Sequence, residues 1–172
     1  MATILLGIGS NIQPQQHIPA GVLALQGVFA QVAWSRVYQS PAVGFDGADF
    51  YNLVLRAQTE QSPQAVVAHC KAIEAQFGKA NDAPKFSSRN LDIDLLLYDD
   101  WVSHGALDVP RAEICENAFV LRPLAELEPT RQHPTLALDL ASLWSQHPQF
   151  AQGGELKALP DDWLAQRLAA LL

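Results

Sequence analysis

The stretch SSRNLDIDLLLYDD, Ser87–Asp100, carries two aspartates two positions apart in a run that is otherwise almost wholly aliphatic. Side chains alternate along a strand, so Asp92 and Asp94 are expected on one face with Leu96 and Tyr98, and Leu91, Ile93, Leu95 and Leu97 on the other. The second face reads as core. On the first, the strand rise sets the two aspartate Cα atoms roughly 6.6 Å apart. Like charges at that spacing repel in a partly desolvated site unless something positive lies between them. Oxygen-only ligands suit a hard cation such as Mg²⁺, which keeps several waters and shares itself with substrate phosphates. Spacing alone serves a sheet with one solvated face equally well, although Asp is a poor strand former and weighs toward the metal.

Upstream, KANDAPKFSSRN (79–90) is a long polar loop holding Lys79, Lys85 and Arg89. Carboxylates beside cations form the combination that phosphoryl transfer uses, where catalysis is mostly positioning and charge neutralisation. Before that loop, Ser62 as N-cap, Pro63 in the first turn, the stripe Val66, Cys70, Ile73 and Phe77, and Gly78 as stop predict a helix. Residues 2–9 read as a buried first strand ending in a turn at Gly9, Ser10 and Asn11. A helix follows, with Ile18, Val22, Leu25 and Phe29 on one face and Pro19 and Gly21 blurring its start. QVAWSRVYQS (31–40) and YNLVLRAQT (51–59) read as a second and third strand around a loop, PAVGFDGADF (41–50), long enough to suspect function. Beyond the aspartates, an extended piece at 107–110 precedes helical segments AFVLRPLAEL and LALDLASLWSQ, then a terminal helix capped by Asp161 or Asp162. The order strand, helix, strand, strand, helix, strand predicts an α+β, ferredoxin-like sandwich with a mainly antiparallel sheet covered by helices on one face.

With 172 residues, about half of them hydrophobic, the chain suits one compact domain. No apolar run reaches the length of a membrane span and the start carries no basic export signal, so neither membrane nor secretion is expected. Cys70 and Cys115 have no His or Cys at metal-ligand spacing nearby and read as reduced thiols in the cytoplasm. A formal charge of −7 argues against a nucleic-acid partner. Neither a Walker A loop nor a protein-kinase signature is present.

Several further stretches, in order, give a sharper reading. GIGSN, YQSPAVG, DFYNLVL, RNLDIDLLLY and VPRAEICENAFVLRPLAEL together resemble the motifs of the 6-hydroxymethyl-7,8-dihydropterin pyrophosphokinases of folate biosynthesis, from about residue 4 to about residue 145. The resemblance implies ATP-dependent transfer of diphosphate to a pterin hydroxymethyl group, releasing AMP. It implies that Asp92 and Asp94 hold two Mg²⁺ ions and, with Arg89, form the catalytic centre. Glu74, Lys79, Lys85, Arg89 and Arg111 would meet ATP. Phe50 and Phe119 would sandwich the pterin, Asn52 would read its edge, and Ser40, Pro41 and Val43 would complete the pocket.

Some positions depart from the pattern. Phe86, Ser87 and Ser88 stand before Arg89 where the family has Trp-Gly-Pro, Arg111 stands for a His, and Asn81 and Asn117 for Arg. A catalytically weak binding relative and an enzyme for a modified pterin are the alternatives these raise. Residues 1–149 are expected as the pyrophosphokinase-like domain, and 150–172 as a linker and an extra helix. Leu164, Leu168 and Leu171 of that helix would cover either the same domain or a partner, whether a second copy of an expected monomer or another folate enzyme.

Overall fold

The computed structural model describes residues 1–78, 88–152 and 154–172. Strand β1 (Ala2–Ser10) is central. It pairs antiparallel on one side with β4 (Phe50–Thr59), in register Gly7 to Val54 and Gly9 to Asn52. On its other side lies β5 (Asp92–Tyr98), with Gly7 opposite Asp94 and Gly9 opposite Asp92. The expected single strand over 31–40 is two, β2 (Ala30–Trp34) and β3 (Tyr38–Ser40), each pairing with a different part of β4. Ser35 marks the break. Its amide donates to the Val54 carbonyl at 2.9 Å while its hydroxyl accepts the Val54 amide at 3.0 Å, so a side chain replaces a ladder carbonyl.

Helix α1 (Pro14–Gln26) buries Ile18, Val22 and Leu25 as its spacing predicts, and Phe29 is buried just past its end. Gly21 is needed there for contact: a Cβ would come within 2.7 Å of Leu91 Cδ2. Helix α2 (Pro63–Gln76) is capped by the Ser62 hydroxyl, which accepts the Ala65 amide, and closes into Gly78 at φ +88°. Both pack on Ile4, Leu6, Ile8, Leu53, Leu55, Leu91, Ile93 and Leu95.

The opposite face is covered as well, which corrects the one-face expectation. There α3 (Glu113–Glu116), α4 (Ala118–Leu127) and α5 (Leu140–Ser145) bring Ile114, Leu121, Leu124 and Leu140 onto Leu5, Val54, Leu96 and Leu97. Burying one such leucine contributes about 1.5–3 kcal/mol. Leu96 and Leu97 share this face because β5 bulges: Leu6 pairs with Leu95 and Leu5 with Leu97, leaving Leu96 over. The alternation therefore inverts after Leu96. Tyr98, expected beside the aspartates, packs instead on the α1–α2 side and donates its hydroxyl to the Gln61 carbonyl.

Helix α5 starts later than LALDLASLWSQ suggests, because the Asp139 carboxylate accepts the Ser142 amide at 2.7 Å and fixes the N-cap there. Hydrogen bonding to the Ser142 side chain and then to its amide holds the Asp139 carboxyl below its usual range. After α6 (Pro148–Gln152), β6 (Lys157–Ala158) adds a short edge strand to β3. Helix α7 (Trp163–Ala170) then buries Trp163, Leu164 and Leu168 in the α1–α2 core, while Leu171 stays half exposed. Asp162 sits at its N-cap position without making a capping bond, and Asp161 turns to Arg36 at 2.7 Å instead. None of the described helices is long and apolar enough to cross a membrane.

Candidate active site

Helices α3 to α5 cover only part of their face of the sheet. Where they stop, the ends of β5, β1, β4 and β3 form the floor of a cavity of about 470 Å³. Across that floor run Asp92, Gly9 and Asn52 as cross-strand neighbours, then Asp94, Gly7 and Val54 one pleat further in. The two glycines leave room above the central strand. A Cβ on Gly9 would stand 2.6 Å from Asn52 Oδ1, so the amide lies directly over it.

The walls come from the loop after β3 and from the segment that runs through α3 into the start of α4. Pro41, Val43 and Phe45 stand on one side and Arg111, Glu113, Glu116, Asn117, Phe119 and Val120 on the other, with Arg89 from the chain entering β5. Phe45 meets Phe50 edge to face, ring centroids 6.3 Å apart. Ser40 also lines the cavity, and its buried hydroxyl has no hydrogen-bond partner among the described residues.

Asn11 joins the walls to the floor. Its Oδ1 accepts the Arg89 amide at 2.7 Å, and its own amide nitrogen donates to the Arg89 carbonyl at 3.1 Å. Its Nδ2 reaches the Ala48 carbonyl at 3.1 Å and Ser88 Oγ at 3.3 Å. One buried side chain thereby ties the end of β1 to the 41–49 loop and to the entry of β5.

Four carboxylates, Asp92, Asp94, Glu113 and Glu116, line the cavity against two guanidiniums, Arg89 and Arg111. Arg111 lies 3.9 Å from Asp94 and pairs in bidentate fashion with Glu113 at 3.1 and 3.2 Å. Burial alone would lower its pKa; Asp94 and Glu113 more than reverse this and hold it above the ordinary value. The excess of acid suits a divalent cation. Among the described residues no three His, Cys, Asp or Glu side chains are placed to share a metal ion. Two carboxylates with the other positions left to water and phosphate oxygens match how Mg²⁺ is commonly held.

Of the residues expected from sequence, Ser40, Pro41, Val43, Phe50, Asn52, Arg89, Asp92, Asp94, Arg111 and Phe119 line this one cavity. Glu74 does not. It is 3% exposed on α2, where its carboxylate accepts the Ile93 amide at 2.7 Å, holding the strand between the two aspartates. Lys79 and Lys85 lie outside the described residues. Phe45, Glu113, Glu116, Gly7 and Asn11 carry roles that the sequence reading missed. Gly7 and Gly9, spaced by two on a central strand, were a legible sign of close approach over a sheet.

A family model for 7,8-dihydro-6-hydroxymethylpterin-pyrophosphokinase (HPPK) matches residues 5–129, well over half of the chain. The chain belongs to this family. The HPPK relative from Aquifex aeolicus is 35% identical over 137 residues, 78% of this chain and 85% of its own. That from Methylorubrum extorquens is 36% identical over 134 residues, covering 75% and 84% respectively. Both carry the name 2-amino-4-hydroxy-6-hydroxymethyldihydropteridine pyrophosphokinase. Among solved structures, an HPPK-DHPS in complex with substrates superposes with TM-score 0.74 at 11% identity, over 92% of this chain and 47% of that one. At that identity the likeness concerns the fold, and this chain spans about half the length of the longer protein. The chain is thus a diphosphotransferase of folate biosynthesis, in a family that uses ATP as co-substrate and Mg²⁺ generally.

Proposed function

We propose that the cavity holds 6-hydroxymethyl-7,8-dihydropterin at its β3–β4 end and the ATP phosphates at its β5 end, for direct transfer of diphosphate between them. The observation that carries the reading is convergence: an acid pair, two phenylalanines and a side-chain amide from distant parts of the chain line one cavity of about 470 Å³. Phe50 and Phe119 offer aromatic surfaces to a flat heterocycle, and Asn52 offers a donor and an acceptor to its edge. The Ser40 hydroxyl, buried without a partner among the described residues, adds a polar atom on the same wall, next to Pro41 and Val43.

Asp92 and Asp94 would hold the metal, as two Mg²⁺ ions in this reading. When bound there, Mg²⁺ lowers the pKa of the substrate hydroxyl and neutralises phosphate charge. The residues do the rest. Arg89 and Arg111 offset charge building on the phosphoryl oxygens, and a guanidinium suits those oxygens geometrically. Lys79 and Lys85, outside the described residues, are further cations that this reading assigns to ATP. Glu74 serves it through the β5 backbone that it holds at Ile93. The pterin hydroxyl gives its proton to solvent and its oxygen bonds to the β-phosphorus as the bridge to the α-phosphate breaks, so the β- and γ-phosphates travel together and AMP leaves. No side chain has to be a strong base. With Cys70 and Cys115 unpaired, a cytoplasmic monomer is the form proposed to do this.

Asp94→Ala tests the assignment. Chromatography of AMP and pterin diphosphate should show turnover reduced by about 10²–10³-fold or more, the scale of losing a transition-state electrostatic group, with circular dichroism unchanged. Near-normal turnover would remove Asp94 from the catalytic centre.

A further inference from the structure

We propose that Leu156, in the C-terminal segment beyond the family match, is a positioning residue for the pterin-side wall, an inference that rests on reading Phe119 as a pterin contact. Leu156 is buried against Tyr38 and Ala118, and Phe119 packs on that cluster while also lining the cavity. Arg122 fixes the segment from the helix side. It donates to the Leu156 carbonyl at 3.3 Å and sets its guanidinium 4.8 Å over the Tyr38 ring. The next two residues form β6, pairing with Gln39 and Tyr38 immediately before Ser40 of the cavity wall.

Leu156 is thus one of three buried side chains in the cluster on which Phe119 and Trp144 pack, and its neighbours brace the strand that carries Ser40. A half-buried aromatic ring keeps its orientation only if the space behind it is filled, because close-packed interiors leave no slack for a ring to turn. Shortening Leu156 opens that space. The segment does not depend on Leu156 for attachment, since α7 anchors it separately by placing Trp163, Leu164 and Leu168 in the other core. Positioning and general stability can thus be separated.

The test is steady-state kinetics on the full chain. Leu156→Ala should raise KM for 6-hydroxymethyl-7,8-dihydropterin about tenfold, the scale of a modest misplacement of a contact surface, with KM for ATP and kcat within about twofold. Leu156→Met, which refills the volume, should restore the pterin KM. Leu168→Ala should lower the melting temperature comparably and leave both KM values in place. If Leu156→Ala does not fold, Leu156→Val is held to the same pattern with a smaller rise. An unchanged pterin KM in the Leu156 variant, while Phe119→Ala raises it, would overturn the proposal alone. So would equal rises in the Leu156 and Leu168 variants, which would mark a purely structural segment. An unchanged pterin KM in Phe119→Ala would overturn the wall assignment itself, and Leu156 with it.

Discussion

Replacing Asn11 with alanine removes three side-chain hydrogen bonds at once: from the Arg89 amide at 2.7 Å, to the Ala48 carbonyl at 3.1 Å and to Ser88 Oγ at 3.3 Å. Asn11 is 5% exposed, so water does not readily replace it. Each stranded buried group costs about 1–3 kcal/mol, and a chain that relaxes locally recovers part of this. A net loss of about 2–4 kcal/mol follows, which for a domain of this size lowers Tm by roughly 5–12 °C. The functional loss should exceed the stability loss, because the groups released are the backbone of Arg89 and the loop bearing Phe45, both at the cavity. Asn11→Asp divides the two effects: it keeps an acceptor for the Arg89 amide and loses the donor to Ala48. It should retain KM for ATP near the parent value and raise KM for the pterin, whereas Asn11→Ala should raise both. The assay is AMP release with each substrate varied, beside a thermal melt. A Tm within about 1 °C of the parent and unaltered KM values in Asn11→Ala would refute the clamp.

Gly9→Ala places a methyl group 2.6 Å from Asn52 Oδ1, and the amide must swing away. KM for the pterin should rise at least about tenfold, the equivalent of 1.4 kcal/mol, with folding little affected; unchanged pterin binding would separate Asn52 from the ligand. Burial, with the Glu126 hydrogen bond behind it, pushes the Tyr38 phenol up to about 12. Above pH 10 the unfolded chain loses that proton while the native state keeps it, so the native state binds more protons and stability falls as pH rises. The slope is about 1.4 kcal/mol per pH unit up to about pH 12. Burial raises the Cys70 thiol to about 12 as well, adding a fall of the same sign that begins near pH 9. Urea midpoints between pH 9 and 11 should show a shallower decline in Tyr38→Phe and in Cys70→Ala than in the parent, and parallel curves would contradict both.

The acid pair was legible because Asp92 and Asp94 have few reasons to sit in an aliphatic strand, and the α+β order followed from cappings as clear as Ser62 and stops as clear as Gly78. Three features were missed, each for a physical reason. The β5 bulge at Leu96 inverts the alternation, and no side chain announces it, since Leu95, Leu96 and Leu97 are identical in sequence. Coverage of both sheet faces was written in the unbroken apolar run of β1 rather than in any alternation, a pattern that signals burial on two sides. The strand expected over 31–40 broke at Ser35 because a hydroxyl mimicked the backbone, which pattern alone does not display. At the site, Glu74 carried a charge and a helical position but not its direction. Its carboxylate turns to the Ile93 amide, a partner that only the tertiary fold supplies. Arg111 was read as a phosphate contact, and its pairing with Glu113 and approach to Asp94 became visible only when the chain brought them to one wall.

The most direct test is product analysis with the purified chain, ATP and 6-hydroxymethyl-7,8-dihydropterin, first with Mg²⁺ and then after chelation. Equimolar AMP and pterin diphosphate should form with Mg²⁺, stop on chelation and resume when the ion is restored. Sustained formation of both products after complete chelation, or ADP in place of AMP, would contradict a metal-dependent diphosphate transfer organised on Asp92 and Asp94.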